Sequence, residues 1–281
     1  MITGIDHIAI EVKDFEATVR NYEVVFGRSP NWRGGATGWK HAWFQFENAA
    51  LDVVAADGDS DAANAIRAEI DKFGEGIMGV GFSVPDRDDA AKLLERRGLS
   101  FVPPHTTISQ DATGRQRQWS IRMMKRASGN GVALFIVENK PDAARWPAME
   151  AQFGDASVSG LDHVVVQTPN VERALVLYGA RLGLDLRLDR ANEQWGARQL
   201  FFRCGNAVVE IGASLKAPVS DAKDKFGGLA WRVKDPEAAR ARIAAAGIDV
   251  SEVRKGRKPG TAVFTVRNGT GVPTLMLSGN D

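Results

Sequence analysis

Apolar and polar positions follow two periods along the chain, which predict short buried strands and amphipathic helices in a fixed order. Residues 4–12 first alternate and then become continuously apolar, as a buried or half-buried strand does. Apolar residues then recur at helical spacing between Asp14, a suitable N-cap, and Gly27, a suitable C-terminal stop. After a glycine-rich turn, two further strands are predicted over 40–47 and 51–54.

The next segment has the same order of elements. A helix is predicted between Asp86 and Gly98, and the polar stretch 102–116 is predicted to form a long hairpin or a lid. Apolar runs predict the strands of this segment over 79–84, 119–124 and 132–137. The pattern therefore describes a unit made of a strand, a helix and later strands.

Both segments recur in the second half of the chain. Ile5-Asp6-His7 returns as Leu161-Asp162-His163, and at the same offset Tyr22 falls on Tyr178. Residues 227–278 repeat the second segment in the same way, with Asp86 on Asp235 and Gly98 on Gly247. We name the four units A, B, A′ and B′ in chain order. A repeat of this size indicates that each unit is a structural module.

One unit of this kind cannot cover both faces of its small sheet, so the units are expected to pair. The order predicts an α+β protein with two tandem domains joined by a linker at 141–158. The first domain spans 1–140 with modules 1–56 and 76–140, and the second spans 159–281 with modules 159–214 and 225–281.

Composition excludes several classes of function. The chain has 44% hydrophobic and 25% charged residues, and 36 basic residues against 35 acidic ones give a formal charge of +1. This balance offers no global attraction for nucleic acid or for an anionic membrane. No apolar run is long enough to span a bilayer, and no signal peptide is recognisable. Cys204 is the single cysteine, which excludes an internal disulfide and predicts a buried thiol. We expect a cytoplasmic monomer or homodimer whose partner is a small-molecule substrate.

The four βαβββ units, the Asp-His pair opening two of them and the Gly131-Val-Ala-Leu-Phe-Ile-Val-Glu138 ending of unit B resemble the vicinal oxygen chelate superfamily. This glyoxalase-like superfamily includes glyoxalases, epimerases, extradiol dioxygenases and metal-free bleomycin-binding proteins. The resemblance implies that two units pair into a cupped sheet with the site inside the cup. It also implies that metal ligands come from the first strand of a unit and from an acid on its last strand.

Carried over to this sequence, the resemblance makes four residues candidate metal ligands. They are His7 and Asp52 in unit A, and His163 and Glu210 in unit A′. Units B and B′ have no such residues: glycines occupy the first-strand position and no acid lies within the last strand. The implied cofactor is a divalent ion, Fe, Mn, Ni or Zn, or none. His163 and Glu210 are also the candidate catalytic residues, because a buried carboxylate without a partner is costly.

The pairing of units decides whether this ligand set is complete. If A pairs with B and A′ with B′, each cup has two ligands, and His41, His105 or a neighbouring chain would have to complete the set. If A and A′ faced the same cup, all four candidate ligands would form one site. The alternative for each histidine is a core residue whose ring nitrogens bond a neighbouring carboxylate or carbonyl.

Aromatic and basic residues offer weaker candidates. The tryptophans Trp43, Trp119, Trp195 and Trp231 lie on or beside predicted strands and would either line an apolar substrate pocket or pack in the core. A basic hairpin over 254–258 would either hold a carboxylate or phosphate or be a solvated turn, and the turn is the ordinary explanation.

Two functions from different classes follow. The first is a metal-dependent enzyme, a lyase or isomerase or a dioxygenase, acting on a small oxygen-bearing organic substrate. A ring-cleaving dioxygenase would be expected to carry a histidine on the first strand of B′, and Gly228 argues against that version. The second is a metal-free protein that sequesters a hydrophobic or aromatic molecule.

Overall fold

The N-terminal half folds into a closed barrel. A computed structural model describes residues 1–138 and 147–278. In the first part, the strands are β1 (Gly4–Glu11), β2 (Trp32–Ala36), β3 (Trp39–Gln45), β4 (Ala50–Ala56), β5 (Gly76–Val84), β6 (His105–Gln110), β7 (Gln116–Met123) and β8 (Leu134–Glu138). The helices are α1 (Phe15–Phe26), α2 (Asp61–Phe73) and α3 (Arg87–Arg96). Around the barrel the strand order is β1-β4-β3-β2-β6-β7-β8-β5.

The C-terminal half repeats these elements but leaves its sheet open. Its strands are β9 (Val158–Gln167), β10 (Asp185–Asn192), β11 (Ala197–Cys204), β12 (Ala207–Ser214), β13 (Lys225–Val233), β14 (Arg254–Lys255), β15 (Ala262–Val266) and β16 (Thr274–Leu277). Its helices are α4 (Val171–Ala174), which continues as a π-helix over Leu175–Arg181, and α5 (Pro236–Ala245). The order β10-β11-β12-β9-β13-β16-β15-β14 leaves β10 and β14 as edges.

Strand pairing settles which units share a sheet. In the N-terminal half β1 of unit A pairs with β5 of unit B, and in the C-terminal half β9 of A′ pairs with β13 of B′. A therefore pairs with B, and A′ with B′. The other arrangement, in which A and A′ face one cup, is wrong, so the four candidate ligands are divided between two sheets.

Local sequence explains most of these elements. Asp14, Asp86, Asn170 and Asp235 cap four helices by accepting hydrogen bonds from backbone N–H groups in the first turn. The stretch 102–116 was predicted to form either a long hairpin or a lid, and it contributes to the β6–β7 hairpin. Two elements differ from the prediction: β2 occupies the supposed glycine-rich turn, and α2 lies between modules A and B, where no helix was predicted.

The barrel closes where β2 meets β6 at one residue pair, Gly35 with Gln110. Glycine is needed on the β6 side because a Cβ on Gly34 would lie 2.7 Å from the Gln110 carbonyl oxygen of β6. On the other side, a Cβ on Gly35 would lie 2.3 Å from the Trp39 carbonyl oxygen and 2.9 Å from the Lys40 Cα of β3. The absence of two side chains at Gly34 and Gly35 thus allows strands to approach closely enough to complete the N-terminal barrel.

Gly35→Ala is expected to lower the free energy of unfolding by about 1–3 kcal/mol, because the methyl group must displace backbone atoms of β3, the strand that pairs with β2 on the side away from the seam. Urea denaturation followed by circular dichroism measures this loss. Gly212→Ala is the matched control, since a Cβ on that strand glycine meets no atom within 4 Å. Equal losses in the two variants would contradict a packing role for Gly35.

The two halves share one hydrophobic core. The Trp231 ring of β13 is fully buried and lies 4.7 Å from the Phe26 ring of α1 and 5.1 Å from the Phe46 ring, between ring centroids. The Tyr22 hydroxyl donates a 2.9 Å hydrogen bond to the Thr270 carbonyl oxygen across the same boundary. The α1 helix therefore packs against both halves.

The described part of the predicted linker is mostly exposed, but it is anchored at Met149 and contains a short helical turn. Its residues 141–146 lie outside the described residues, as do Asn139 and Lys140 before it and residues 279–281 at the end of the second domain. Met149 is buried, and its N–H donates to the Gln45 carbonyl oxygen at 2.9 Å. A 3-10 turn at Gly154–Ala156 leads into β9, which starts at Val158, inside the predicted linker.

The helices over 1–138 and 147–278 are all too short or too polar to cross a bilayer.

Candidate active site

An open cavity of about 1370 Å³ lies against the C-terminal sheet. His163, Gln199, Phe201, Glu210 and Leu275 line it from strands of that sheet. Phe46, Asn48 and Met149 contribute from the neighbouring N-terminal half and the segment that follows it. The cavity exists because β10 and β14 stay apart, whereas their counterparts in the N-terminal half meet at a seam.

His163 and Glu210 come together on adjacent parallel strands. The register pairs His163 of β9 with Val208 of β12, and Glu210 lies two residues farther along β12, on the same face. His163 Nε2 is 3.3 Å from Glu210 Oε2, and the two side chains are 15% and 13% exposed. The candidate pair is therefore close together, largely buried and open to the cavity.

Neighbouring polar groups fix both side chains. His163 Nδ1 is 2.8 Å from Asp162 Oδ1, and Asp162 Oδ2 accepts a 3.0 Å hydrogen bond from Arg232 Nε. Burial by itself would raise the pKa of Asp162, but its bonds with His163 and Arg232 lower the pKa below the usual value. The Gln199 amide donates a 2.6 Å hydrogen bond to Glu210 Oε1. These contacts leave His163 Nε2 and Glu210 Oε2 as the atoms that face each other.

The separation of these two atoms fits two ligands of one metal ion. Donors at about 2.0–2.2 Å from an ion, at the angles of tetrahedral or octahedral coordination, lie about 2.9–3.5 Å apart. A carboxylate on the second nitrogen of a ligating histidine is the usual outer-shell support. The described residues contain no group of three or more His, Cys, Asp or Glu suited to a metal. The donors present thus fit two positions of the coordination shell and leave the others open.

Unit B′ contributes no donor to this shell. The first-strand counterpart of His163 is Gly228, and on β16 the position that corresponds to Glu210 is Leu275. Gly228 has a φ of 150°, and a Cβ there would lie 2.5 Å from the Pro273 carbonyl oxygen. A side chain at residue 228 would therefore require the β13–β16 backbone to move.

His7 and Asp52, the other two candidates, lie in the N-terminal barrel and bond different partners. His7 Nδ1 is 2.7 Å from Asp6 Oδ1, whereas Asp52 Oδ1 is 2.6 Å from the Nδ1 atom of His41. His41 Nε2 lies 2.8 Å from the Ser109 hydroxyl. His41 therefore engages Asp52 and adds nothing to His163.

The interior of that barrel is filled by its own side chains. The His7 ring lies 4.7 Å from the Trp43 ring and 5.0 Å from the Phe135 ring. The Arg117 guanidinium lies 3.9 Å above the Trp43 ring and 5.0 Å above the Trp119 ring. Burial lowers the pKa of Arg117, and the nearby charge of Asp52 opposes this shift. The cup of the N-terminal half thus holds aromatic and guanidinium groups where the C-terminal half has its cavity.

The four candidate pocket tryptophans do not line the cavity. Trp43 and Trp119 pack inside the N-terminal barrel, Trp231 is in the shared core, and Trp195 is 41% exposed on the turn after β10. Of the two alternatives, core packing describes Trp231, and the sheets direct the other three side chains away from this cavity. Phe46 and Phe201 are the aromatic residues that line it.

Three further candidates have clear positions. His105 is exposed on β6 in the N-terminal half and does not reach the cavity. Cys204 is buried, and burial raises the pKa of its thiol to about 12, so it remains protonated. The basic segment 254–258 is an exposed turn, and its Arg254, Arg257 and Lys258 also line the cavity.

Sequence reasoning missed Asp162, Gln199, Arg190 and Arg232. The internal repeat could have identified Asp162 and Gln199. An aspartate precedes the histidine in both copies, and Gln199 occupies in β11 the register position that His41 occupies in β3. In both copies this residue bonds the last-strand acid.

Comparisons with known proteins agree with this architecture. The family model described as the Glyoxalase/Bleomycin resistance protein/Dioxygenase superfamily matches residues 6–116 and 162–264, one match in each half. No curated protein matches the sequence. The prediction of two tandem glyoxalase-like domains with an α+β fold is confirmed.

Solved structures share the fold at low sequence identity. A triple mutant of 4-hydroxymandelate synthase from Streptomyces coelicolor aligns with a TM-score of 0.72 and 13% identity, covering 100% of this chain and 94% of that chain. The 2,3-dioxygenase LapB from Pseudomonas sp. KL28 gives 0.68 and 16%, covering 100% and 94%. The Mn(II)-bound glyoxalase from Novosphingobium aromaticivorans gives 0.67 and 16%, covering 99% and 82%. At these identities the similarity establishes the fold alone.

Proposed function

Because the chain belongs to the Glyoxalase/Bleomycin resistance protein/Dioxygenase superfamily, we propose that it is a divalent-metal-dependent enzyme acting on a small oxygen-bearing substrate. The active site is the cavity of the C-terminal half. The observation that carries this proposal is the pair His163 Nε2 and Glu210 Oε2, 3.3 Å apart on the cavity wall. The N-terminal barrel serves as a scaffold, because its own side chains fill its interior.

His163 and Glu210 would hold the ion, which is Fe, Mn, Ni or Zn. When bound, a divalent ion polarises a substrate oxygen as a Lewis acid. Asp162 bonds His163 Nδ1, so the imidazole presents Nε2 to the cavity. Gln199 holds Glu210 Oε1 and leaves Oε2 free to serve as a ligand or to accept a proton from the substrate.

Two protein donors leave room for two adjacent oxygens of the substrate in the same coordination shell. A lyase or isomerase reaction moves a proton next to a carbonyl, and Glu210 would be the carboxylate that accepts it. Gly228 supplies no donor from B′, which disfavours the ring-cleaving dioxygenase reaction. We therefore favour a lyase or isomerase reaction.

The metal-free alternative, a protein that sequesters hydrophobic or aromatic molecules, is not favoured by the lining of the cavity. None of the four candidate tryptophans contributes to it, and eight of its lining residues are Arg or Lys. Such walls favour a polar, negatively charged ligand over an apolar one.

Elemental analysis of protein purified without chelator tests the proposal. We expect about one equivalent of Fe, Mn, Ni or Zn in the unmodified protein and its loss in His163→Ala. His7→Ala is the matched control, because it removes the repeat-equivalent histidine from the filled barrel. Circular dichroism checks that both variants fold. The proposal is overturned if the unmodified protein binds none of these ions and gains no thermal stability from them, or if His163→Ala retains full occupancy.

A further inference from the structure

We propose that the mouth of the cavity is an oxyanion-binding site, built on Arg190 and Arg257, that holds a carboxylate or phosphate group of the substrate. The inference rests on the proposed function in one respect, which is that the bound molecule is the substrate. It predicts that one end of this substrate carries a charged group. The reacting oxygens, at the other end, would lie near His163 and Glu210.

The charge of the cavity wall is the first observation. The basic lining residues are Arg28, Arg190, Arg203, Arg232, Lys234, Arg254, Arg257 and Lys258. The acidic ones are Glu47, Asp162 and Glu210. The whole chain is nearly neutral, at +1, so this excess of positive charge is a local property of the cavity. A cleft lined by one sign of charge attracts ligands of the opposite sign.

The basic residues at the mouth lack carboxylate partners. Arg203 and Arg232, on other strands of the C-terminal sheet, pair with Asp185 and Asp162. Over the described ranges, no Asp or Glu oxygen lies within 4.0 Å of the side-chain nitrogens of Arg190, Arg254, Arg257 or Lys258. These cations therefore remain available to a ligand.

Trp195 holds two of these guanidiniums at the mouth. The Arg190 guanidinium lies 4.9 Å and the Arg257 guanidinium 4.4 Å from the centroid of its ring. Arg190 is on β10 and Arg257 follows β14, so the indole joins the two open edges of the sheet. Stacking on an aromatic face restrains a guanidinium while leaving its N–H groups directed outward, which suits bidentate binding of a carboxylate or phosphate.

Arg190 carries the strongest sign of an absent acceptor. Its Nε atom is buried and has no hydrogen-bond partner among the residues that the structure describes. Buried polar atoms are nearly always hydrogen-bonded, so an unpaired N–H beside a cavity indicates that a ligand acceptor belongs there. The other contact of this guanidinium is a 3.4 Å hydrogen bond from Nη2 to the Gln199 side-chain oxygen.

Gln199 connects the mouth with the proposed reaction centre. Its oxygen accepts from Arg190, and its amide nitrogen donates to Glu210. An oxyanion on Arg190 would therefore orient the side chain that fixes Glu210. This gives the mouth a positioning role for the substrate in addition to charge attraction.

Isothermal titration tests the inference with inorganic phosphate, pyrophosphate and malonate as probes, at ionic strength held constant with chloride. We expect the unmodified protein to bind at least one probe, and the double variant Arg190→Gln/Arg257→Gln to bind it about tenfold more weakly or worse, as the loss of charge-assisted bonds predicts. Arg20→Gln, which removes one positive charge from an exposed position on α1, should bind as the unmodified protein does. The stronger probe identifies the group as phosphate or carboxylate, and either supports the inference.

The inference is overturned if no probe binds, or if the double variant binds as tightly as the unmodified protein. His163→Ala separates it from the proposed function. If that variant loses the metal and keeps the oxyanion, both proposals stand. If the unmodified protein binds an oxyanion and no metal, the proposed function fails and the oxyanion site remains. If the unmodified protein binds metal and no oxyanion, the proposed function stands and the oxyanion site fails.

Discussion

Trp231→Ala is expected to lower the free energy of unfolding by about 3–5 kcal/mol, the usual cost of deleting a large buried ring. The Trp231 side chain has no solvent exposure and packs against Phe26 and Phe46 of the other half. The substitution would leave a cavity where the two halves meet, so it should weaken both. Urea denaturation, followed by tryptophan fluorescence and by circular dichroism, measures the change.

Trp195→Ala is the matched control for this prediction. It removes the same side chain from a turn where 41% of the residue is exposed, so the loss of stability should stay below about 1 kcal/mol. If the halves share a core, both spectroscopic probes should report one transition in the unmodified protein. Two separate transitions, or equal losses in the two variants, would contradict the shared core.

Much of the fold is predictable from sequence because the repeat and the periodicity of each unit are strong signals. The Asp-His pair marks β1 and β9, and aspartate or asparagine caps mark four helices. The unpredicted helix α2 has no counterpart among the described residues of the second half, and it buries little, since only Ala63 and Ile70 are buried. The closing seam at Gly35 was missed for another reason: it pairs residues 75 positions apart and depends on how far the sheet curls.

The candidate site was predictable in part. His163 and Glu210 were found because they sit at repeat-equivalent positions of buried strands. Their counterparts His7 and Asp52 failed to meet because Asp52 has the shorter side chain and His41, on the neighbouring strand, engages it. That competition depends on cross-strand register, which the sequence does not state. The Arg190–Trp195–Arg257 contact likewise depends on where two sheet edges end.

The register also shows how the metal site could be completed. On β12 the acid lies two residues beyond Val208, the partner of His163. In B′ the first-strand counterpart is Gly228, and two residues farther along β13, Ala230 pairs with Leu275 of β16. Leu275 lines the cavity and therefore occupies the position that Glu210 holds in A′. A carboxylate there would supply the third protein donor, the number found in catalytic zinc sites.

Leu275→Glu is expected to bind a divalent ion about tenfold more tightly or better than the unmodified protein, since even outer-shell changes alter metal affinity by about 10–100-fold. Without metal, the added carboxylate should cost about 1–3 kcal/mol of stability, because it enters a largely buried position on β16. Titration with Zn²⁺ or Mn²⁺, followed by calorimetry and by the metal-dependent rise in Tm, measures both effects. Leu277→Glu places the same group on the cavity wall two residues farther along β16, beside Arg232. Because that position does not correspond to Glu210, the Leu277→Glu variant should gain no metal affinity. An equal gain in both variants would contradict the prediction, because it would show that added negative charge, and not coordination together with His163 and Glu210, strengthens metal binding.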